Sequence, residues 1–197
     1  MANKIKYGLR NVHYAKITAT DPTTGAVTYA TTPVAIPGAV NLAMDASGEQ
    51  TPFYADDVTY WMGDSNNGYS GTLEIALVPD SFRTDILGEK VDANGVYYET
   101  ADATPSEFAL LFEFQGDESA TKHCFFRCSA SRTAVNGSTK EASITPQTET
   151  INLTAMARIN DQMVKARCPR TSSAYATWFD SVPTITPATT PATPAAS

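Results

Sequence analysis

The chain has 197 residues, of which 42% are hydrophobic and only 18% charged, and its formal net charge is −7. That length suits one domain with a real core. The acidic balance argues against nucleic-acid binding by phosphate neutralisation, though not against a conduit along which DNA slides. No apolar run approaches the ~20 residues that cross a bilayer. Residues 2–10 are polar and basic without an apolar h-region, which predicts folding in a cytoplasm.

In chain order, residues 7–17 alternate Val12, Tyr14 and Lys16 against His13, Ala15 and Ile17, so an extended arm leads into a first strand. Asp21 to Gly25 is a turn cluster predicting a hairpin into residues 26–30. Residues 39–45 place Val40, Leu42 and Met44 on a common face. Residues 49–67 then carry Phe53, Tyr54, Tyr60 and Trp61 among Glu49, Asp56, Asp57 and Asp64. A long segment so rich in aromatics either docks on something, another copy of the chain being the economical candidate, or adds a core strand over residues 53–62.

Residues 69–78 alternate Tyr69, Gly71, Leu73, Ile75 and Leu77 against Ser70, Thr72, Glu74 and Ala76, the pattern of a half-buried strand. Pro79 opens a short helix over residues 82–87, which Gly88 closes. Asn94 and Gly95 mark a hairpin turn. Residues 107–115 turn Phe108, Leu110, Phe112 and Phe114 inward and Glu107, Glu113 and Gln115 outward. Residues 122–135 read as a long strand ending in a hairpin at Asn136 and Gly137. Residues 148–159 alternate Ile151, Leu153, Ala155, Ala157 and Ile159 against Thr150, Asn152, Thr154, Met156 and Arg158, and residues 175–180 add a helical turn. These elements fill residues 1–181; residues 182–197 are a Thr/Pro/Ala tract read as a flexible tail or a linker.

Chemistry is sparse. Cys124 and Cys128 lie about 13 Å apart at strand rise, too far for a mutual bridge, and read as small buried apolar groups. Alternation sets His123 on the opposite face from both cysteines, which argues against a metal site. Asp56 and Asp57 would make a poor acid–base pair, because neighbouring strand residues diverge. There is no phosphate cradle, nucleophile motif or expected cofactor.

Four segments carry a resemblance: KIKYGLRNVHYA from Lys4, YADD from Tyr54, GYSGTLEIALVPDSFRTDILG from Gly68 and EFALLFEFQGD from Glu107. Together they resemble the major tail, or tail-tube, protein family of long-tailed bacteriophages over most of residues 3–159. The resemblance implies a mainly β, sandwich- or barrel-like fold with a flanking helix. It also implies six-membered rings stacked into the tube of a non-contractile tail, in a virion assembled in the host cytoplasm. A tape-measure protein in the lumen, tail terminator and tail-tip proteins would be its partners. Some relatives carry an immunoglobulin-like domain where this chain has its Thr/Pro/Ala tract.

Under this reading the inter-subunit loop comprises Phe53, Tyr54, Asp56, Asp57, Tyr60 and Trp61, and the arm contacts are Lys4, Lys6, Tyr7 and Arg10. Glu74, Glu113 and Asp45 are the candidate acids of a DNA-repelling lumen. A different class also fits the aromatic loop and Thr/Pro tract: a soluble β-sandwich binding module, carbohydrate-binding or adhesin-like.

Overall fold

The computed structural model describes residues 3–139 and 146–186. Strands β1 (Lys6–Thr20), β2 (Val27–Tyr29), β3 (Val34–Ala35), β4 (Ala39–Ala46), β5 (Gln50–Ala55), β6 (Val58–Asp64) and β7 (Tyr69–Ile75) come first. A helical turn, α1 (Asp80–Phe82), runs into a wider turn at Arg83–Leu87. Then follow β8 (Lys90–Val91), β9 (Tyr97–Tyr98), β10 (Phe108–Gly116), β11 (Thr121–Ala130), β12 (Glu149–Met156) and β13 (Lys165–Pro169), and a 3-10 turn at Ser173–Tyr175. The fold is mainly β and sandwich-like, with one short helical segment, as expected.

The main sheet runs β2-β1-β10-β11-β12-β7-β4, with β3 beside β1 and β13 beside the first half of β11. It curls around a first core: Val12 and Tyr14 of β1, Phe108, Leu110 and Phe112 of β10, Phe125 of β11, Ile151 and Leu153 of β12, and Leu73 and Ile75 of β7. The helical segment joins this core through Phe82, Ile86 and Leu87. Pro79 precedes its first turn and Gly88, at φ 82°, ends it in the left-handed conformation that glycine adopts without a Cβ penalty. Phe82 packs edge-on to Tyr14 and Phe108, at 5.2 and 5.4 Å. The Tyr14 hydroxyl donates to Asp85 at 2.8 Å, and Arg83 grips both oxygens of Glu149 at 3.0 and 3.1 Å.

A second core lies on the other face of β1, β10 and β11, and period-two reading did not anticipate it. Ala15, Ala109, Leu111, Cys124, Phe126 and Cys168 pack there under Trp178, with Tyr175, Phe179, Val182 and Ile185 alongside. Lys122 fastens this C-terminal cover by donating to the Tyr175 carbonyl at 2.6 Å and lying over the rings of Tyr175 and Phe179. Val182 and Ile185 therefore belong with the packed body; residues 187–197 of the expected tail lie outside the described residues.

Bulges correct several expectations. β1 does not begin as a free arm, since Lys6 through Arg10 pair with β10. An irregularity in β4 beside Val40 turns that residue outward while Leu42 and Met44 stay against the core. An extra β11 residue between the Phe125 and Cys128 registers sends Cys124 to the second core and Cys128 to the first, so the cysteines do not share a face. Asn136 and Gly137 make no tight turn: β11 ends at Ala130 and β12 begins at Glu149. β13, which the sequence reading missed, pairs along residues 121–125 of β11.

Candidate assembly surfaces

β4 and β7 continue beyond the main sheet into the β5–β6 hairpin. The junction is held by backbone bonds from Ser47 to Gly68 and from Asn67 to Ser47, and by the Ser65 hydroxyl, which bonds both ends of Glu49. The segment is thus a strand pair, yet not part of the core. Asp56 and Asp57 form its two-residue turn, with φ of 50° and 59°, as in a type I′ hairpin. Phe53 pairs with Trp61 on one face, and Pro52 with Met62 on the other. Gly63 leaves the space that the Trp61 ring fills. Phe53, Tyr54, Val58, Tyr60, Trp61 and Met62 are all exposed, Tyr60 at 73% and Trp61 at 60%. An isolated hairpin is marginal in water, and this one has apolar groups on both faces with none of the described residues over them.

The other predicted residues separate. Lys4 donates its backbone N–H to Asp117, Lys6 lies over the Phe114 ring at 4.9 Å, and Tyr7 stays exposed. Arg10 is committed within the chain, to Glu113 at 2.8 Å. Glu113 cannot line a channel: it is 2% exposed and also accepts from Asn11 at 2.7 Å and the Tyr175 hydroxyl at 3.2 Å. Alternation correctly turned it from the first core, but the C-terminal segment covers that face. A bulge in β1 between Arg10 and His13, with Asn11 at φ 52°, brings two successive side chains onto it. Burial pushes its pKa up, and the bonds from Arg10 and Asn11 outweigh this to hold it below the ordinary carboxylate range.

Glu74 and Asp45 do share one surface. Glu74 sits between Asn41 and Thr150 and accepts from the Thr148 hydroxyl at 2.7 Å, while Asp45 pairs with Ser70. Their companions on this face include Ala43, Thr72, Asn152 and Thr154: small, polar and uncharged.

At the end where the hairpin emerges, the sandwich has an open groove of about 170 Å³ walled by Leu42, Met44, Tyr69, Phe112, Phe114 and Phe125, with Lys6, His123 and Lys165. It adjoins a second cleft of about 360 Å³ that shares Lys6, Phe114 and His123 and adds Lys4 and Arg167. His123 stacks on Phe112 at 5.2 Å, and Lys165 lies over Tyr69 at 4.3 Å. Burial, then the charges of Lys6, Arg167 and Lys165, lower the His123 pKa to about 4. Sequence reasoning missed the groove because β13 was missed.

A family model described as phage tail tube protein matches residues 1–122, from the first residue through β10 and into the start of β11. The chain belongs to the phage tail tube protein family. It is therefore a structural component of a bacteriophage virion. No curated protein matches the chain. The matched span includes the whole ribbon from β4 to β7, and with it the uncovered hairpin.

Proposed function

We propose that this tail tube protein is the repeating subunit of a tube built from stacked, six-membered rings, through which DNA passes into the host. The observation that carries this is the β5–β6 hairpin, whose aromatic residues are left uncovered by the described residues and suit burial against another copy. β4 ends the main sheet, and its outer edge, unpaired among the described residues, is offered to a neighbouring copy. A head-to-tail contact of this kind closes into a ring when its rotation is a simple fraction of a turn, and rings can then stack. Lys4, Lys6 and Tyr7 remain accessible for contacts between copies. The ring would form around a tape-measure protein in the host cytoplasm, between tail terminator and tail-tip proteins. Family membership favours this over the soluble binding module.

The outer face of β4, β7 and β12 suits the lumen, because Asp45 and Glu74 would repel phosphates among small polar side chains that give DNA little to adhere to. Concentrated protein viewed by negative-stain microscopy should show rings or tubes. Removal of residues 51–62 should leave soluble, folded monomers; normal tubes from that variant would refute the hairpin's role.

A further inference from the structure

The charge along this chain is unevenly placed. Between Lys16 and Arg83 there is no Lys, Arg or His, while Asp45, Glu49, Asp56, Asp57 and Asp64 lie on or beside the β4–β7 ribbon and its hairpin. Five arginines elsewhere are already committed: Arg10 to Glu113, Arg83 to Glu149, Arg127 to Glu107, Arg132 to Glu99 and Arg158 to Asp161. Lys6, Lys165 and Arg167 make no ion pair among the described residues, and they converge on the groove around His123, whose lining contains no carboxylate. The chain thus holds an acidic, aromatic projection and a basic, aromatic-walled recess.

We propose that the groove formed by Lys6, Phe112, Phe114, Lys165 and Arg167 is the receptor for the β5–β6 hairpin of a second copy. The Asp56 and Asp57 tip meets the three cations, and the hairpin's rings lie against the phenylalanine walls. This rests on the self-assembly reading and names the mating surface. The direction of the contact follows from the fold. Met44 and Tyr69 line the groove, and the same two strands lead on into the hairpin. Projection and recess therefore sit at one end of the sandwich, so copies pointing the same way along an axis mate side by side, within a ring. Copies stacked one above another would meet the hairpin with the helical end instead. The carboxylates and cations steer and orient the encounter, and the buried rings hold it.

Charge exchange tests this. Asp56→Lys with Asp57→Lys reverses the tip, and Lys165→Glu with Arg167→Glu reverses the recess; all four positions are exposed. Each double variant alone should lose ring and tube yield by about tenfold or more in sedimentation and microscopy, since like charges face each other. Circular dichroism melts should show both still folded. Mixing the two should restore assembly, because each tip then finds a recess of opposite charge on the other chain. Variants that assemble normally on their own would overturn the docking, while tubes from the parent chain would leave the tube reading intact. Two folded variants that fail alone and also fail when mixed would overturn it as well, since a hairpin folding back into its own groove gives that result. A parent chain that forms neither rings nor tubes counts against the tube reading itself.

Discussion

The β1–β10–β11 region and the β5–β6 hairpin are both antiparallel, and both are rich in aromatic residues. In the first, each face is covered by the chain itself: the curled sheet and helical segment on one side, the C-terminal segment around Trp178 on the other. In the second neither face is covered by the described residues. The body is thus finished by its own chain, whereas under the proposed assembly the hairpin is finished by a partner. Aromatic content alone does not distinguish the two, so stability and assembly should respond to mutation separately.

The largest separation should come from truncating one ring in each region. Phe126→Ala removes a ring from the second core and should cost about 3–5 kcal/mol in urea unfolding, enough to threaten the fold. Trp61→Ala removes an exposed ring and should leave monomer stability within about 0.5 kcal/mol, with the loss appearing in tube yield. Equal destabilisation by the two would erase the distinction.

The buried Glu113 cluster comes next. Glu113→Ala leaves Arg10, Asn11 and Tyr175 without their shared acceptor and loosens the C-terminal cover, at a cost of about 2–4 kcal/mol. Glu74→Ala removes one partly exposed carboxylate from the proposed lumen face and should cost less than about 1 kcal/mol. Paired urea titrations would check both. A Glu74 variant as damaging as the Glu113 variant would show that the open face is no less structural than the covered one.

These residues also show how far the sequence was legible. Strand alternation is a local signal, and it found β4, β7, β10 and β12 with the first core's residues on the correct face. Pro79 and Gly88 bracketed the helical segment for equally local reasons. Alternation does not say what covers the opposite face, which is why Glu113 read as solvent-facing and the second core went unseen. Bulges insert one residue and reverse the parity that follows, which displaced Val40 and separated Cys124 from Cys128. The hairpin was legible as an aromatic-acidic segment, but the groove takes its cations from β1 and β13, joined only by folding.

A smaller effect belongs to His123, at the margin between body and groove. Its pKa lies near 4, whereas an unfolded imidazole titrates near 6.5, so between those values the unfolded chain binds more protons. The ring's contribution is complete above about pH 6.5 and declines as pH falls towards 4. Full conversion would give about 3 kcal/mol, but solvent reaches part of the ring, and about 1–2 kcal/mol is the expected loss. His123→Phe keeps a ring against Phe112 and removes the titration. The gap in unfolding free energy between pH 7.5 and 4.5 should shrink by that amount in the variant. An unchanged gap would mean that carboxylates elsewhere account for the acid response.

The smallest and most discriminating change lies at the hairpin tip. Both turn residues sit at positive φ, where Asn followed by Gly is the favoured pair and two aspartates are a poorer conformational choice. Asp56→Asn with Asp57→Gly should therefore stabilise the hairpin, by up to about 1 kcal/mol, as amide exchange along β5 and β6 would register. If the tip served only to shape the turn, assembly should improve with it. If the two carboxylates mate with a basic recess, assembly should weaken even as the hairpin becomes better ordered. Opposite movements of hairpin order and tube yield would show that Asp56 and Asp57 hold this turn for their charge, against the conformational preference of the backbone.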